Sequence, residues 1–276
     1  MSFGVSHLHS WLICHGRVRG VDYLQSVILG IVEGLTEFLP VSSTGHLELA
    51  RHLMGLDASA FSKSFEIFIQ LGAILAVVVL YGKRLAKDLE AWKRIIVASV
   101  PTGLIGLLLY KVIKNSLLGN IHLVVAMLVG VGLLLVFADR VTKGRERYQD
   151  VDQMPLSKAF LVGLIQAVSV VPGVSRSGAS ILGGMFLGLG AKAAAEFSFL
   201  LAVPTMLATS GFELFKNGTG FSGGEWGLLA VGFMVSFVVA MASIRFMMGL
   251  LPRYGFMPFG IYRVAAGLIY ALVFLR

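Results

Sequence analysis

One stretch limits what this chain can fold into. Glu33-Gly-Leu-Thr-Glu37-Phe-Leu-Pro40-Val-Ser42-Ser43-Thr44-Gly45-His46 sits inside a run apolar enough to enter a bilayer. Yet it carries two carboxylates, four hydroxyls and an imidazole. Ionisable groups at membrane depth are expensive, so they face a cavity, a partner or a substrate. Glu33 and Glu37 are four residues apart, which puts both carboxylates on one face of a helix. Pro40 disfavours helical backbone at Leu39, so a break is expected there. The Ser42 to Gly45 run suits the start of a new helix. The free N–H groups and positive dipole end of such a start attract phosphate.

Composition sets the class. The chain has 276 residues, of which 57% are hydrophobic and 14% charged, with a mean hydropathy of +0.84. Long apolar segments recur along its whole length, the mark of an all-α polytopic membrane protein. Continuous apolar runs without two-residue alternation argue against a β-barrel. The formal charge of +8 falls mainly between the apolar runs, as the positive-inside rule and anionic headgroups require. No basic face or stacking module accompanies it, which argues against nucleic acid. Cys14 is the only cysteine, so an intramolecular disulfide is impossible.

Residues 1–21 read as an interfacial or poorly ordered extension. His7, His9 and His15 there match no closed zinc spacing. Residues 22–276 read as a single membrane domain. Tyr23 to Val41 and Gly45 to about Gly55 are each too short to span, so a re-entrant helical hairpin is expected, its broken backbone lining a polar cavity. Spans are expected at 65–81, 95–113 and 121–138, near the ~20 residues a bilayer core demands. The 82–94 and 139–158 connections are basic and are placed in the cytoplasm, with 114–120 outside.

The pattern then returns. Ala159 to Val171, a break at Pro172-Gly173-Val174-Ser175-Arg176-Ser177-Gly178, and Ala179 to Leu189 form a second hairpin, followed by spans at 196–215, 226–244 and 259–275. Gly30 to Glu33 is echoed by Gly163 to Gln166, and Phe65-Glu66 by Ala195-Glu196. Repeat one (about 22–138) and repeat two (about 159–276) flank a cytoplasmic linker at 139–158. Three spans per half force opposite orientations. The expected architecture is therefore an inverted-topology repeat of six spanning helices plus two re-entrant helical hairpins, with the site where the hairpins meet.

Two helix starts aimed at one point would bind an anion, and Arg176 adds a planar fork for phosphate. Glu33 and Glu37 suit a hard divalent cation, Mg²⁺ or Ca²⁺. His46 could carry a proton and Ser43 or Thr44 could be a nucleophile. These parts suit phosphoryl transfer from a diphosphate on a lipid tail. Plainer roles compete. Ser175, Ser177 and Ser180 could each hydrogen-bond their own turn, and Glu66 and Glu196 could be structural partners. Arg176 requires an anion, either Glu37 or substrate phosphate.

The Glu33–His46 motif and Pro172-Gly-Val-Ser-Arg-Ser-Gly-Ala-Ser180 resemble the two signatures of the bacitracin-resistance-type undecaprenyl-diphosphate phosphatases. The Glu196–Pro204 and Pro258-Phe-Gly-Ile-Tyr-Arg263 stretches also resemble that family, and the likeness runs from about residue 22 onward. The resemblance implies an enzyme of the bacterial inner membrane, open to the periplasm. It would hydrolyse undecaprenyl diphosphate to the monophosphate carrier of peptidoglycan synthesis, require a divalent cation and confer bacitracin resistance. Carried over, Glu37, Ser43, His46 and Arg176 are catalytic, with Ser43 as nucleophile and His46 or water as alternatives. Ser42, Thr44, Gly45, Ser175, Ser177 and Gly178 bind substrate, and Glu33 and Glu37 hold the metal. Expected partners are the polyprenyl diphosphate and membrane lipids, with a homodimer open to the chain. Glu48, where an apolar residue is expected, and Ser180, where the family often has Thr, depart from the pattern.

The acid-phosphatase-like lipid phosphatases do not fit: Thr44 interrupts their Ser-Gly-His motif, and no His follows Ser175-Arg176 in the next helix. A transporter or flippase for a lipid phosphate or anion is the alternative, since broken hairpins in inverted repeats also build carriers.

Overall fold

The computed structural model describes residues 21–56, 59–112, 117, 120–217 and 221–274. The extension at 1–20, with its three histidines, and most of the 114–120 connection lie outside the described residues. Among the described residues the chain forms ten α-helices and no strand. They are α1 (Tyr23–Thr36), α2 (Ser43–Leu53), α3 (Ala60–Lys87), α4 (Leu89–Val112), α5 (Ile121–Thr142), α6 (Leu156–Gln166), α7 (Arg176–Phe186), α8 (Ala191–Asn217), α9 (Gly223–Tyr254) and α10 (Met257–Phe274).

The helices α3, α4, α5, α8 and α9 are long and apolar enough to cross a membrane, whereas α1, α6 and α10 are shorter apolar helices. Large apolar side chains stand exposed along them, for example Leu108 on α4 and Phe215 on α8. Exposed apolar surface on this scale belongs against lipid. The core is correspondingly lean in large residues where helices cross, and Ala73, Ala76, Ala98, Ala194 and Ala195 are fully buried. Small residues let membrane helices approach closely.

Helix limits follow local chemistry. Asp22 caps α1 by accepting from the Gln25 N–H at 2.8 Å, and the Gln25 side chain accepts from the Asp22 N–H at 2.8 Å, a reciprocal capping box. The expected loop at 82–94 is almost wholly helical: α3 runs to Lys87 and α4 starts at Leu89, with Asp88 alone between them. Asp88 makes this possible by capping α4, accepting from the Ala91 N–H at 2.8 Å. After the first break the helix begins at Ser43, within the expected Ser42–Gly45 start; after the second it begins at Arg176, earlier than the expected Ala179.

The packing is reciprocal. The first short helix, α1, packs chiefly on α9, and the second, α6, chiefly on α4. Helices α3 and α8 pack on one another, and so do α5 and α10. At the end of α3, Arg84 holds this arrangement together. It bonds Glu196 at the start of α8 at 2.7 Å, Asp88 at 3.1 Å, Asp152 at 3.1 Å, and Asp150. Partial burial opposes the charge of Asp150, but the hydrogen bond from Arg84 holds its carboxyl below the usual aspartate range.

The α4–α6 contact depends on Gly163. A Cβ at that position would lie 1.9 Å from the Ala98 carbonyl oxygen. Backbone cannot yield as a flexible side chain can, so even one methyl group forces the helices apart. Gly163→Ala should lower the unfolding midpoint of the detergent-solubilised protein by the equivalent of ~1–3 kcal/mol or more. An unchanged midpoint would show that the crossing is looser than described.

Candidate active site

Two broken hairpins meet in the interior. After α1, the backbone leaves helical geometry at residues 38–42 before α2 begins. After α6, a short 3₁₀ turn at Ala167–Val170 leads into a break that ends at Ser175. Ser42 (φ 75°) and Ser175 (φ 76°) are the two non-glycine residues with positive φ among the described residues. Each is the N-cap of the helix that follows its break. Such backbone costs on the order of 1–3 kcal/mol per residue and persists where surrounding contacts impose it. Local contacts hold both. The Ser175 Oγ accepts from the Gly178 N–H at 3.1 Å. The Ser42 carbonyl accepts from His46 Nδ1–H at 2.8 Å.

The breaks are tied to each other. Ser177 Oγ donates to the Leu39 carbonyl at 2.9 Å. Arg263 on α10, fully buried, donates to the carbonyls of Pro40 (3.0 Å) and Gly173 (2.6 Å), one in each break. It also donates to Leu128 (3.3 Å) and Met127 (3.2 Å) on α5. All four of these partners are backbone carbonyls. The Pro40 and Gly173 carbonyls lack helical partners because the chain is broken there, and Arg263 supplies the missing donors while bracing them against α5.

Within this frame Glu37 and Arg176 come together. Arg176 Nη2 donates to Glu37 Oε1 at 2.8 Å, and Ser43 Oγ donates to Glu37 Oε2 at 2.5 Å. Arg176 also reaches the Ser198 carbonyl at 3.0 Å and lies over the Phe38 ring. One cavity of about 620 Å³ takes in Glu37, Ser42, Ser43 and Thr44 from the first break and Ser175 and Arg176 from the second. Two sets of atoms beside this group are buried and unpartnered: Arg176 Nε and both carboxylate oxygens of Glu33. Glu33 does not itself line the cavity; it lies one helical turn behind Glu37.

The other expected site residues are placed differently. His46 does not line the cavity. Its Nδ1–H donates to the Ser42 carbonyl, and its Nε2 lies 2.8 Å from the Tyr262 hydroxyl. The two rings stack at 5.6 Å. Gly45, Ser177 and Gly178 lie in the turns behind the cavity wall. Ser180 bonds its own turn at Arg176 O (2.9 Å) and Ser198 Oγ (2.7 Å). Glu48 is engaged by Arg51 at 2.7 Å.

Arg263 and Tyr262 were given no role by sequence reasoning. The signal was available for Arg263, an ionisable side chain inside the apolar 259–275 segment, which the logic applied to Glu33 singles out equally. Glu37 satisfies the anion that Arg176 requires, at least before substrate arrives. No three His, Cys, Asp or Glu side chains converge as a metal-binding set among the described residues.

Arg263→Lys tests the clamp. A lysine ammonium is a single compact donor group and cannot span both breaks as the guanidinium fork does, leaving the Pro40 or the Gly173 carbonyl without a donor. The variant should unfold earlier by ~1–3 kcal/mol. A wild-type midpoint would mean the breaks stand without it.

The family model described as bacitracin resistance protein BacA matches residues 26–269. A protein named undecaprenyl-diphosphatase from Aquifex aeolicus is 52% identical over 251 residues, covering 91% of this chain and 98% of the relative. One of that name from Thermus thermophilus is 52% identical over 259 residues, covering 93% and 99%. One from Persephonella marina is 49% identical over 250 residues, covering 90% and 98%. The matched region contains both breaks, Arg176 and Arg263, and the chain belongs to the BacA family of bacitracin resistance proteins.

Proposed function

We propose that this chain is an integral membrane phosphatase that hydrolyses undecaprenyl diphosphate to undecaprenyl phosphate and inorganic phosphate. The observation that carries the reading is the Ser43–Glu37–Arg176 chain of contacts in one cavity lined by both breaks. It joins a hydroxyl nucleophile, a carboxylate positioned to take its proton, and a cation for phosphate. The name shared by relatives about 50% identical over nearly the whole chain supports the substrate. Hydrolysis of this lipid regenerates the monophosphate carrier for peptidoglycan synthesis and removes the target of bacitracin.

In the proposed reaction Ser43 Oγ attacks the terminal phosphorus and its proton passes to Glu37 Oε2. The bond to the bridging oxygen breaks, and its electron pair leaves with undecaprenyl phosphate. Water then attacks the phosphoserine, releasing inorganic phosphate, while Glu37 returns the proton to Ser43 Oγ. Arg176 turns from Glu37 toward the phosphoryl oxygens, where its free Nε–H gains a partner. The N–H groups at the starts of α2 and α7 receive the remaining negative charge. Ser43 is favoured over His46 as nucleophile because Ser43 lines the cavity, whereas both His46 nitrogens are engaged elsewhere. His46 then acts by holding the strained Ser42 carbonyl.

A divalent cation, Mg²⁺ or Ca²⁺, fits beside this group. Glu33 carries two buried carboxylate oxygens without a hydrogen-bond partner, the kind of group a hard cation satisfies. Glu33 and Glu37 would hold it, and it would neutralise charge on the diphosphate.

The proposed architecture is an inverted-topology repeat, α1–α5 against α6–α10. The matched positive φ at Ser42 and Ser175 supports it, as does the reciprocal packing of α1 on α9 and α6 on α4. Basic residues from Lys83 to Arg94 and from Arg140 to Lys158 favour a cytoplasmic placement of that end. The cavity takes in α4 from Ser99 to Tyr110 and α8 from Pro204 to Phe212, the halves remote from that end. This supports a site open to the periplasmic side of the inner membrane.

Phosphate release from undecaprenyl diphosphate by the purified protein is the test. Ser43→Ala and Arg176→Ala should each lower kcat/KM by about 10²–10⁴-fold, with chelation of divalent cations abolishing release. His46→Ala should lose less than Ser43→Ala, and the reverse order would return His46 to the chemistry. No release from folded wild-type protein would sink the phosphatase and favour a carrier.

A further inference from the structure

The cavity extends beyond what a diphosphate occupies. From Glu37 and Arg176 it runs between α4 and α8, past Ser99 and Thr102, to Gly103, Gly106, Leu107, Tyr110 and Phe212. Positions 99, 102, 103, 106 and 110 form one stripe of α4, about 16 Å long at the rise of a helix. Polarity falls along this path: hydroxyls near the phosphate end give way to glycine, leucine and aromatic rings. Leu107 is 67% exposed and Phe212 47% exposed, so the far end opens on the apolar flank of the molecule. Tyr110 and Phe212 meet edge to face at 6.0 Å between the two helices.

Two absent side chains make the groove. A Cβ at Gly103 or Gly106 would meet nothing within 4 Å. No neighbouring helix therefore requires glycine there, and glycine is a poor helix former. Their packing explanation, valid at Gly163, fails at these two positions. What both provide is room along the cavity wall.

We infer that the groove between α4 and α8 receives the first isoprene units of the polyprenyl tail, and that Gly103 and Gly106 admit it. This rests on the phosphatase reading and extends it to the lipid. The occupant follows from continuity: a chain covalently joined to a diphosphate at Arg176 has this apolar, laterally open path out of the same cavity. A cavity of about 620 Å³ is of ordinary ligand size. It holds the head group and only the nearest part of a long tail, the rest lying in the bilayer.

Gly106→Leu fills the groove without touching Ser43, Glu37 or Arg176. It should raise KM for undecaprenyl diphosphate at least tenfold, with kcat within about twofold and an unchanged unfolding midpoint. An unchanged KM would overturn the proposal. Labelling tests it without turnover. In a Cys14→Ser background in detergent, N-ethylmaleimide should react with Gly106→Cys at least tenfold more slowly when undecaprenyl phosphate is added. Inorganic diphosphate should not slow it, and Gly130→Cys on α5, away from the cavity, should ignore both ligands. Equal protection by inorganic diphosphate, by added phosphatidylglycerol, or none at all would each overturn the tail path. Failure of wild-type phosphate release would instead strike the phosphatase reading, which the labelling does not require.

Discussion

The contact between Glu37 and Arg176 joins residues 139 positions apart at the centre of an apolar protein. Neither charge is tolerable there alone, because a lone buried ion has lost its water without gaining a partner. Much else is arranged so that they can meet. Two helices must stop short, two others must begin with their N–H groups facing the gap, and the carbonyls exposed by each break must find donors. Arg263 supplies those donors to Pro40 and Gly173 at once. The structure thus uses one buried arginine to hold the backbone and another to face the cavity.

Strain and incomplete satisfaction gather at this point. Ser42 and Ser175 hold left-handed backbone, and Glu33 and Arg176 Nε lack partners, all within the two hairpins or directly beside the cavity. Elsewhere buried charge is amply paired, as around Arg84. Charged groups left unsatisfied beside a cavity are those with a ligand still to bind. The proposed chemistry gives each a partner: cation for Glu33, phosphoryl oxygen for Arg176.

Much of this was legible in the sequence. The glutamate spacing, Pro40, the serine run and Arg176 predicted both breaks and their meeting, because charge inside an apolar run has few physical explanations. The short helices α1, α2, α6 and α7 were likewise anticipated from segments too short to span. What was missed lay where sequence signals are silent or were read by proximity. His46 stands one helical turn from Ser43, yet its ring is held by the Ser42 carbonyl and by Tyr262, a partner more than 200 residues away that no local spacing reveals. The basic stretch at 82–94 suggested a loop, but basic residues serve equally well on helix ends that emerge from a membrane. Arg263, inside the first half of α10, was passed over as part of an ordinary span although a charge in an apolar run is itself a signal. The glycines at 103 and 106 could not be told from packing glycines such as Gly163 until their surroundings were known.

The central claim is that the two breaks form one site in which Glu37 and Arg176 act as a unit. A double-mutant cycle on phosphate release from undecaprenyl diphosphate tests it most directly, comparing Glu37→Gln, Arg176→Gln and the double variant by kcat/KM. Residues that act together give losses that do not add. The account predicts a double variant close to the more damaged single one. Losses that multiply in full would show that the two residues work independently, and would contradict a shared site.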